Sequence, residues 1–264
     1  MTRLDYDAAA SARLERAYTT ADVQAQRDAV RRSLDARPGE RVLDLGSGPG
    51  ILACELAHDV GPRGKVIAVD ISPEMNAIAS RRIAEADFAA RVEVLAGDAT
   101  RLEFPDAAFD AAVSTQVIEY VSDVDRVLRE VLRVLRPGGR LVLIDTDWDT
   151  LIWSSRDSAR TARILEAWSS HAAHAHLPRS LAPRLRTCGF EIGDVFALTL
   201  LNTSYSEATY SYNLAALISD FVRSRGAVPD DELDAWLVEL EALDADNAYF
   251  FSLNRYGFRA TRAH

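Results

Sequence analysis

The 264-residue chain has little of what would place a protein outside the cell or within a membrane. Cys54 and Cys188 are its only cysteines, too few for a disulfide scaffold and in keeping with reduced thiols in the cytoplasm. No apolar run approaches the roughly 20 residues that cross a bilayer. The first residues, Met1-Thr-Arg-Leu-Asp-Tyr6, contain no signal-peptide core, so a cytoplasmic location is expected. Positive charge is also short. Thirty Lys and Arg against 40 Asp and Glu leave a formal net charge of −10, which argues against a nucleic-acid or anionic-membrane partner. Arg126, Arg129, Arg133 and Arg136 recur at helical spacing and read as a solvated helix face. There is no internal repeat and no low-complexity segment. Apolar residues make up 48% of the chain, enough for one large domain with a sizeable core.

What is present is concentrated in Arg41-Val-Leu-Asp-Leu-Gly-Ser-Gly-Pro-Gly50. An apolar strand runs through an acid into a glycine-rich turn, and Ile51 to His58 follows as a short helical pattern with Leu52 and Leu56 on one face. A buried parallel strand feeding a glycine turn and a helix N-terminus is the first unit of a nucleotide-binding α/β sheet. The spacing is G-x-G-x-G, and Ile51 stands where a dinucleotide fingerprint needs its last glycine. No Lys-Ser/Thr pair follows the loop, so a phosphate cradle of the P-loop kind is excluded. With Asp44 ahead of it, the turn reads as a site for a nucleoside without a pyrophosphate.

This pattern resembles the class I S-adenosylmethionine-dependent methyltransferases, and the resemblance extends over residues 38 to 148. Val66-Ile-Ala-Val-Asp70 looks like the second strand, ending in the acid that such enzymes place on the ribose hydroxyls. Asp70 lies about two dozen residues beyond Gly46, close to the spacing of ribose-binding acids after a glycine loop. Gly97-Asp98-Ala99 follows Val92-Glu-Val-Leu95 and looks like the turn that meets the adenine amino group. Phe109 to Gln116 resembles the fourth strand, ending beneath the methionine part of the cofactor. Leu135-Arg-Pro-Gly-Gly-Arg-Leu-Val-Leu-Ile144 resembles the turn into the fifth strand. Within the family the chain is most similar to the UbiE-like quinone-biosynthesis group and to bacterial secondary-metabolite methyltransferases. Relatives of the quinone group often carry Glu-His after the fourth strand, whereas this chain has Glu119-Tyr120, a departure that weakens any histidine-base mechanism.

The resemblance implies a Rossmann-like α/β fold: a seven-stranded, mostly parallel sheet with helices on both faces, an N-terminal helical lid and an inserted helical cap. It implies a single methyltransferase domain over 1–264. Residues 1–37 would form the lid, 38–148 the cofactor-binding core, and 149–264 the substrate-side half. Ser72-Pro73 is expected to start a helix reaching Asp87, and Asp123 to cap a second helix with Val124, Val127, Leu128, Val131, Leu132 and Leu135 on its apolar face. Residues 157 to 187 read as mostly helical, interrupted at Pro178. Phe190 to Leu201 and Ala248 to Arg259 read as an antiparallel pair, with cap helices between about 206 and 245. Tyr249 to Tyr256 alternates on a strand, with core packing as the main reading and a share in the pocket wall as the alternative.

The resemblance assigns S-adenosyl-L-methionine as cofactor, with Asp44, Gly46, Ser47, Gly48, Asp70, Ile71, Met75, Asp98, Ala99 and Gln116 as its binding residues. In the lid, Gln26 and Arg27 are placed to reach the methionine carboxylate. Each has a structural alternative: Asp70 as a helix cap at Ser72, Asp98 as a turn former, Met75 as helix packing, Arg27 as a solvated charge. For the chemistry, Asp147 and Trp148 follow the fifth strand at its carboxyl end, where open α/β sheets bind ligands. The acids Asp145, Asp147 and Asp149 do not make an EF-hand, because Thr150 and Arg156 occupy its glycine and glutamate positions. His171 and His174 share a helix face as base or substrate contacts, with ordinary packed or surface histidine as the alternative. No metal is expected. The reading is methyl transfer to a small, largely apolar or aromatic acceptor in quinone or secondary-metabolite biosynthesis, by a monomer or homodimer. A non-catalytic cofactor- or partner-binding protein and an NAD-dependent dehydrogenase are the alternatives.

Overall fold

The computed structural model describes residues 15–263, so Tyr6 and the first 14 residues of the expected lid lie outside the described residues. After a helical turn at 15–19, helix α1 (Ala21–Leu34) leads into β1 (Arg41–Leu45), α2 (Ile51–Asp59), β2 (Lys65–Asp70), α3 (Pro73–Ala84), β3 (Val92–Ala96) and β4 (Phe109–Thr115). Then come α4 (Val124–Val134), β5 (Leu135–Thr146), β6 (Ile152–Trp153), α5 (Ser158–Trp168), α6 (Pro178–Cys188) and β7 (Phe190–Asn202). Helices α7 (Tyr210–Ser224) and α8 (Asp230–Ala245) precede the last strand, β8 (Phe251–Arg262).

Strands β3-β2-β1-β4-β5 are parallel, and β8 joins β5 antiparallel and in turn pairs with β7 and β6. The sheet has eight strands rather than seven. The extra one is β6, two residues long, too short to leave a periodic signal in sequence. The order turns back at β1, with β2 and β3 on one side and β4 and β5 on the other. The crevice beyond the carboxyl ends of β1 and β4 is therefore where a ligand is expected in an open sheet.

Both faces of the parallel sheet are buried, as its strands require. Leu43, Leu45, Ile67 and Val69 face one core, closed by α4 through Val127, Leu128 and Val131 and by α6 through Leu181 and Leu185. Val42, Val66, Ala68, Val113 and Val142 face the other, closed by α1, α2 and α3. A third cluster joins the cap helices to β6 and β8 through Trp153, Trp168, Tyr210, Leu214, Trp236, Phe251 and Leu253. The helix begun at Ser72 ends at Ala84, and its Ser72 Oγ caps the Met75 amide at 3.2 Å. Asp123 caps α4 as expected, its carboxylate accepting the Arg126 amide at 3.0 Å. Pro178 starts α6 at its first position, where its missing N–H costs nothing, rather than interrupting a longer helix.

Candidate active site

Gly46, Gly48 and Gly50 all adopt positive φ, which lets the chain turn from β1 into α2. A Cβ on Gly50 would stand 2.9 Å from that of Ala79 on α3, whereas one on Gly48 would point into open space. The turn is braced from β2: Asp70 Oδ2 accepts the Gly48 amide at 2.8 Å, and Oδ1 accepts the Ser72 amide at 2.9 Å. Asp98, after β3, closes its own turn on the Thr100 amide and hydroxyl at 2.8 Å each. At the tip of β4, Gln116 holds a positive φ of 59° that a side chain rarely adopts. It is fixed there by the Ile144 carbonyl, which accepts its amide at 2.7 Å, and by Thr146, whose hydroxyl donates to Gln116 Oε1 at 2.7 Å. Strain of this kind gathers at functional sites.

These turns wall one cavity of about 650 Å³ at the switch point. Gly46, Ser47, Gly48, Asp70, Ile71, Met75, Asp98, Ala99, Gln116 and Arg27 all border it, as does Gln26. Asp44 does not. It is buried at the end of β1, its Oδ2 lacks a partner, and burial together with the charges of Asp70 and Glu55 pushes it up to about 7. The same cavity is also bordered by Tyr120, Trp148, Trp168, Tyr210, Leu214 and Leu217.

Of the four residues expected to carry chemistry, Trp148 borders the cavity and Asp147, His171 and His174 do not. Asp147 is clamped by Arg179, whose Nε and Nη2 donate to its carboxylate at 2.6 and 2.9 Å. Asp147, Asp149 and His176 place ligand atoms within 4.8 Å of one another, but Arg179 already serves both carboxylates, reaching Asp149 at 2.7 Å. His171 lies behind the aromatic wall, stacked on Trp168 at 3.7 Å and edge-on to Trp148 at 4.5 Å. Its Nδ1 pairs with the Trp168 carbonyl at 2.7 Å, and burial drives it down to about 4, so it is neutral at pH 7. His174 is half-buried, with Nε2 3.2 Å from the Ser122 carbonyl.

Sequence reasoning missed two groups. Glu119 is fully buried behind the cavity-lining Tyr120 and Trp148, with Oε2 accepting the Thr146 amide at 3.1 Å. Burial pushes it up to about 7, and raises its neighbour Asp145 too. Arg255 is 2% exposed and borders the cavity from β8. A sequence signal for it existed: it shares the inward phase of Phe251 and Leu253, where a lone arginine is out of place.

The donor set suits an adenosyl ligand. Asp70 keeps lone pairs beyond its two amide bonds, Gly48 leaves room for close approach, and among the described residues no basic phosphate cradle lines the glycine turn. Residues 43–143 match the model of a methyltransferase domain family, Methyltransf_11. An uncharacterized 37.1 kDa protein in transposon TN4556 of Streptomyces fradiae is 34% identical over 234 residues, 87% of this chain and 66% of that protein. The ubiquinone/menaquinone biosynthesis C-methyltransferase UbiE of Vibrio vulnificus is 38% identical over 110 residues, 42% of this chain and 42% of its own. The matched segment thus spans less than half the length of that enzyme and just under two thirds of the Streptomyces protein. The solved structure of Haemonchus contortus phosphoethanolamine N-methyltransferase 2 with S-adenosyl-L-methionine superposes with a TM-score of 0.65. It is 20% identical, over 99% of this chain and 59% of that one, a likeness of fold. Fold, site and matches together define a Rossmann-like domain built for S-adenosylmethionine. Residues 43–143 carry a methyltransferase domain of the class I S-adenosylmethionine-dependent kind.

Proposed function

We propose that this chain transfers the methyl group of S-adenosylmethionine to a small, largely apolar or aromatic acceptor of quinone or secondary-metabolite biosynthesis. The observation that carries the reading is the lining of one cavity, with glycine turns and acids at the strand ends and aromatic and aliphatic side chains contributed by the segments after β4 and β5 and by α5 and α7. When bound, the cofactor supplies a methyl group already activated by its sulfonium. The chain's own tasks are then alignment and exclusion of water, and alignment alone is worth roughly 7–11 kcal/mol of a barrier.

Asp70 would accept from the ribose hydroxyls with the lone pairs its two amide bonds leave free. Asp98 and Ala99 would border the adenine, Ile71 and Met75 would give it apolar cover, and Gln116 would stand below the methionine end. Trp148, Trp168 and the cap residues Tyr210, Leu214 and Leu217 would seat the acceptor and keep it dry. Glu119, behind Tyr120 and Trp148 and titrating near neutrality, is where the fold can hold a proton beside those residues. The likeness to UbiE, a ubiquinone/menaquinone biosynthesis C-methyltransferase, supports an aromatic acceptor. We read the protein as cytoplasmic and as a monomer or homodimer. Among the described residues no helix is long and apolar enough to cross a membrane.

The test is turnover with a radiolabelled methyl donor over a panel of hydroquinones, phenols and polyketide-like aromatics. Label transfer to an aromatic or apolar member supports the proposal. Transfer confined to charged, aliphatic acceptors contradicts it.

A further inference from the structure

Among the described residues, two cations and four carboxylates border the cavity: Arg27 and Arg255 against Asp70, Glu74, Asp98 and Asp123. S-adenosylmethionine brings its own α-carboxylate into this acidic setting, and that group needs a cation. Arg27 is the residue the sequence points to, but its charge is met elsewhere. Its Nε donates to Glu55 at 2.9 Å, and its Nη1 donates to the Tyr18 carbonyl, which ties α1 to α2.

Arg255 is differently placed. It stands on β8 opposite Thr146, almost wholly buried. Both of its hydrogen-bonding partners are neutral: Gln26 Oε1 accepts from Nη1 at 2.5 Å, and the Tyr210 hydroxyl accepts from Nη2 at 2.8 Å. The guanidinium also sits 4.8 Å from the Tyr210 ring centre, and its Nε has no partner. A guanidinium has five N–H donors, so this fork has capacity left. Its charged neighbours Glu119 and Asp145 are themselves held above the ordinary carboxylate range by burial, so they offset this buried cation only in part and leave it open to an incoming anion. Its contacts also bring together α1 and the cap helix α7, the two elements that flank the cavity around it.

Resting on the cofactor reading above, we propose that Arg255 receives the α-carboxylate of the cofactor's methionine end, Gln26 and Tyr210 orient its fork, and Arg27 fixes the position of α1.

The test compares S-adenosylhomocysteine, which carries the carboxylate, with methylthioadenosine, which lacks the amino-acid end, by calorimetry on wild type, Arg255→Gln and Arg27→Gln. Arg255→Gln is expected to weaken S-adenosylhomocysteine at least tenfold while leaving methylthioadenosine within twofold, with Arg27→Gln weakening both alike. If Arg255→Gln does not fold, Arg255→Lys takes its place. It keeps the charge without the planar fork, and a selective loss of about threefold or more is expected. Unchanged affinity for S-adenosylhomocysteine, equal loss of both ligands, or a selective loss in Arg27→Gln instead would overturn the assignment. Failure of the wild type to bind either ligand would count against the cofactor reading itself, so the two failures are distinct.

Discussion

The carboxylate of Asp70 bonds the backbone of Gly48 across the crevice between β2 and β1, with Oδ2 2.8 Å from the glycine nitrogen. The same carboxylate caps the Ser72 amide with its other oxygen. Helix-capping and wall-forming readings of this acid therefore describe one side chain. Asp70→Ala removes two acceptors at the cavity rim and should cost about 1–3 kcal/mol of stability. Its affinity for S-adenosylhomocysteine should fall by more than tenfold. Affinity equal to wild type in the folded variant would dismiss the ribose assignment.

Gly48 and Gly50 of the turn have separable duties. Gly50→Ala drives a methyl group against Ala79 and should lower the melting temperature, since both partners belong to packed helices. Gly48→Ala meets no protein atom, although it carries the positive-φ penalty of roughly 1–2 kcal/mol. Its methyl would fill cofactor space, so binding should suffer far more than in a variant of equal stability elsewhere. Parallel melting and calorimetry on the two variants would show whether the duties divide in this way.

His171 governs acid stability rather than chemistry. Its folded-state value near 4 lies below the ordinary 6.5, so the unfolded chain binds the proton more readily. Its stabilising contribution is full above about pH 6.5 and is lost as pH falls towards 4, about 2 kcal/mol between pH 7 and pH 5. His171→Phe should keep the stack on Trp168 and flatten that part of the stability curve in urea titrations. His174→Ala, on a half-buried side chain that does not border the cavity, should leave turnover within about twofold of wild type. A large rate loss in His174→Ala would restore the histidine cluster as catalytic.

Glu119 works in the opposite sense. Its folded-state value is raised above the ordinary 4.5, so its contribution is full below about pH 4.5 and is lost as pH rises through 7. Glu119→Gln keeps an acceptor for the Thr146 amide and removes the buried charge. It should melt above wild type at pH 8 and show little or no gain at pH 5. A gain that is the same at both pH values would contradict the buried-acid account.

The parallel half of this fold was plain in the sequence because β1, β2 and β4 are short, mostly apolar and buried segments, each closed by a turn with its own chemistry. The cofactor half of the site followed from those turns, since glycines and strand-end acids act where the backbone places them. Asp44 shows the limit: two residues before Gly46, it ends buried away from the cavity. Asp147 likewise follows β5 at the expected edge, but a distant residue, Arg179, claims its carboxylate. The acceptor half depends on tertiary docking, because α5, α7 and β8 bring Trp168, Tyr210 and Arg255 together from segments far apart in sequence. Local periodicity reports that such residues are buried, not what they face.

The most direct test of the account is calorimetric titration of the wild-type chain with S-adenosylhomocysteine beside an identical titration with NAD. Micromolar binding of the first and none of the second is the predicted result. Binding of NAD in preference, or of neither ligand, would contradict the assignment of this cavity to S-adenosylmethionine.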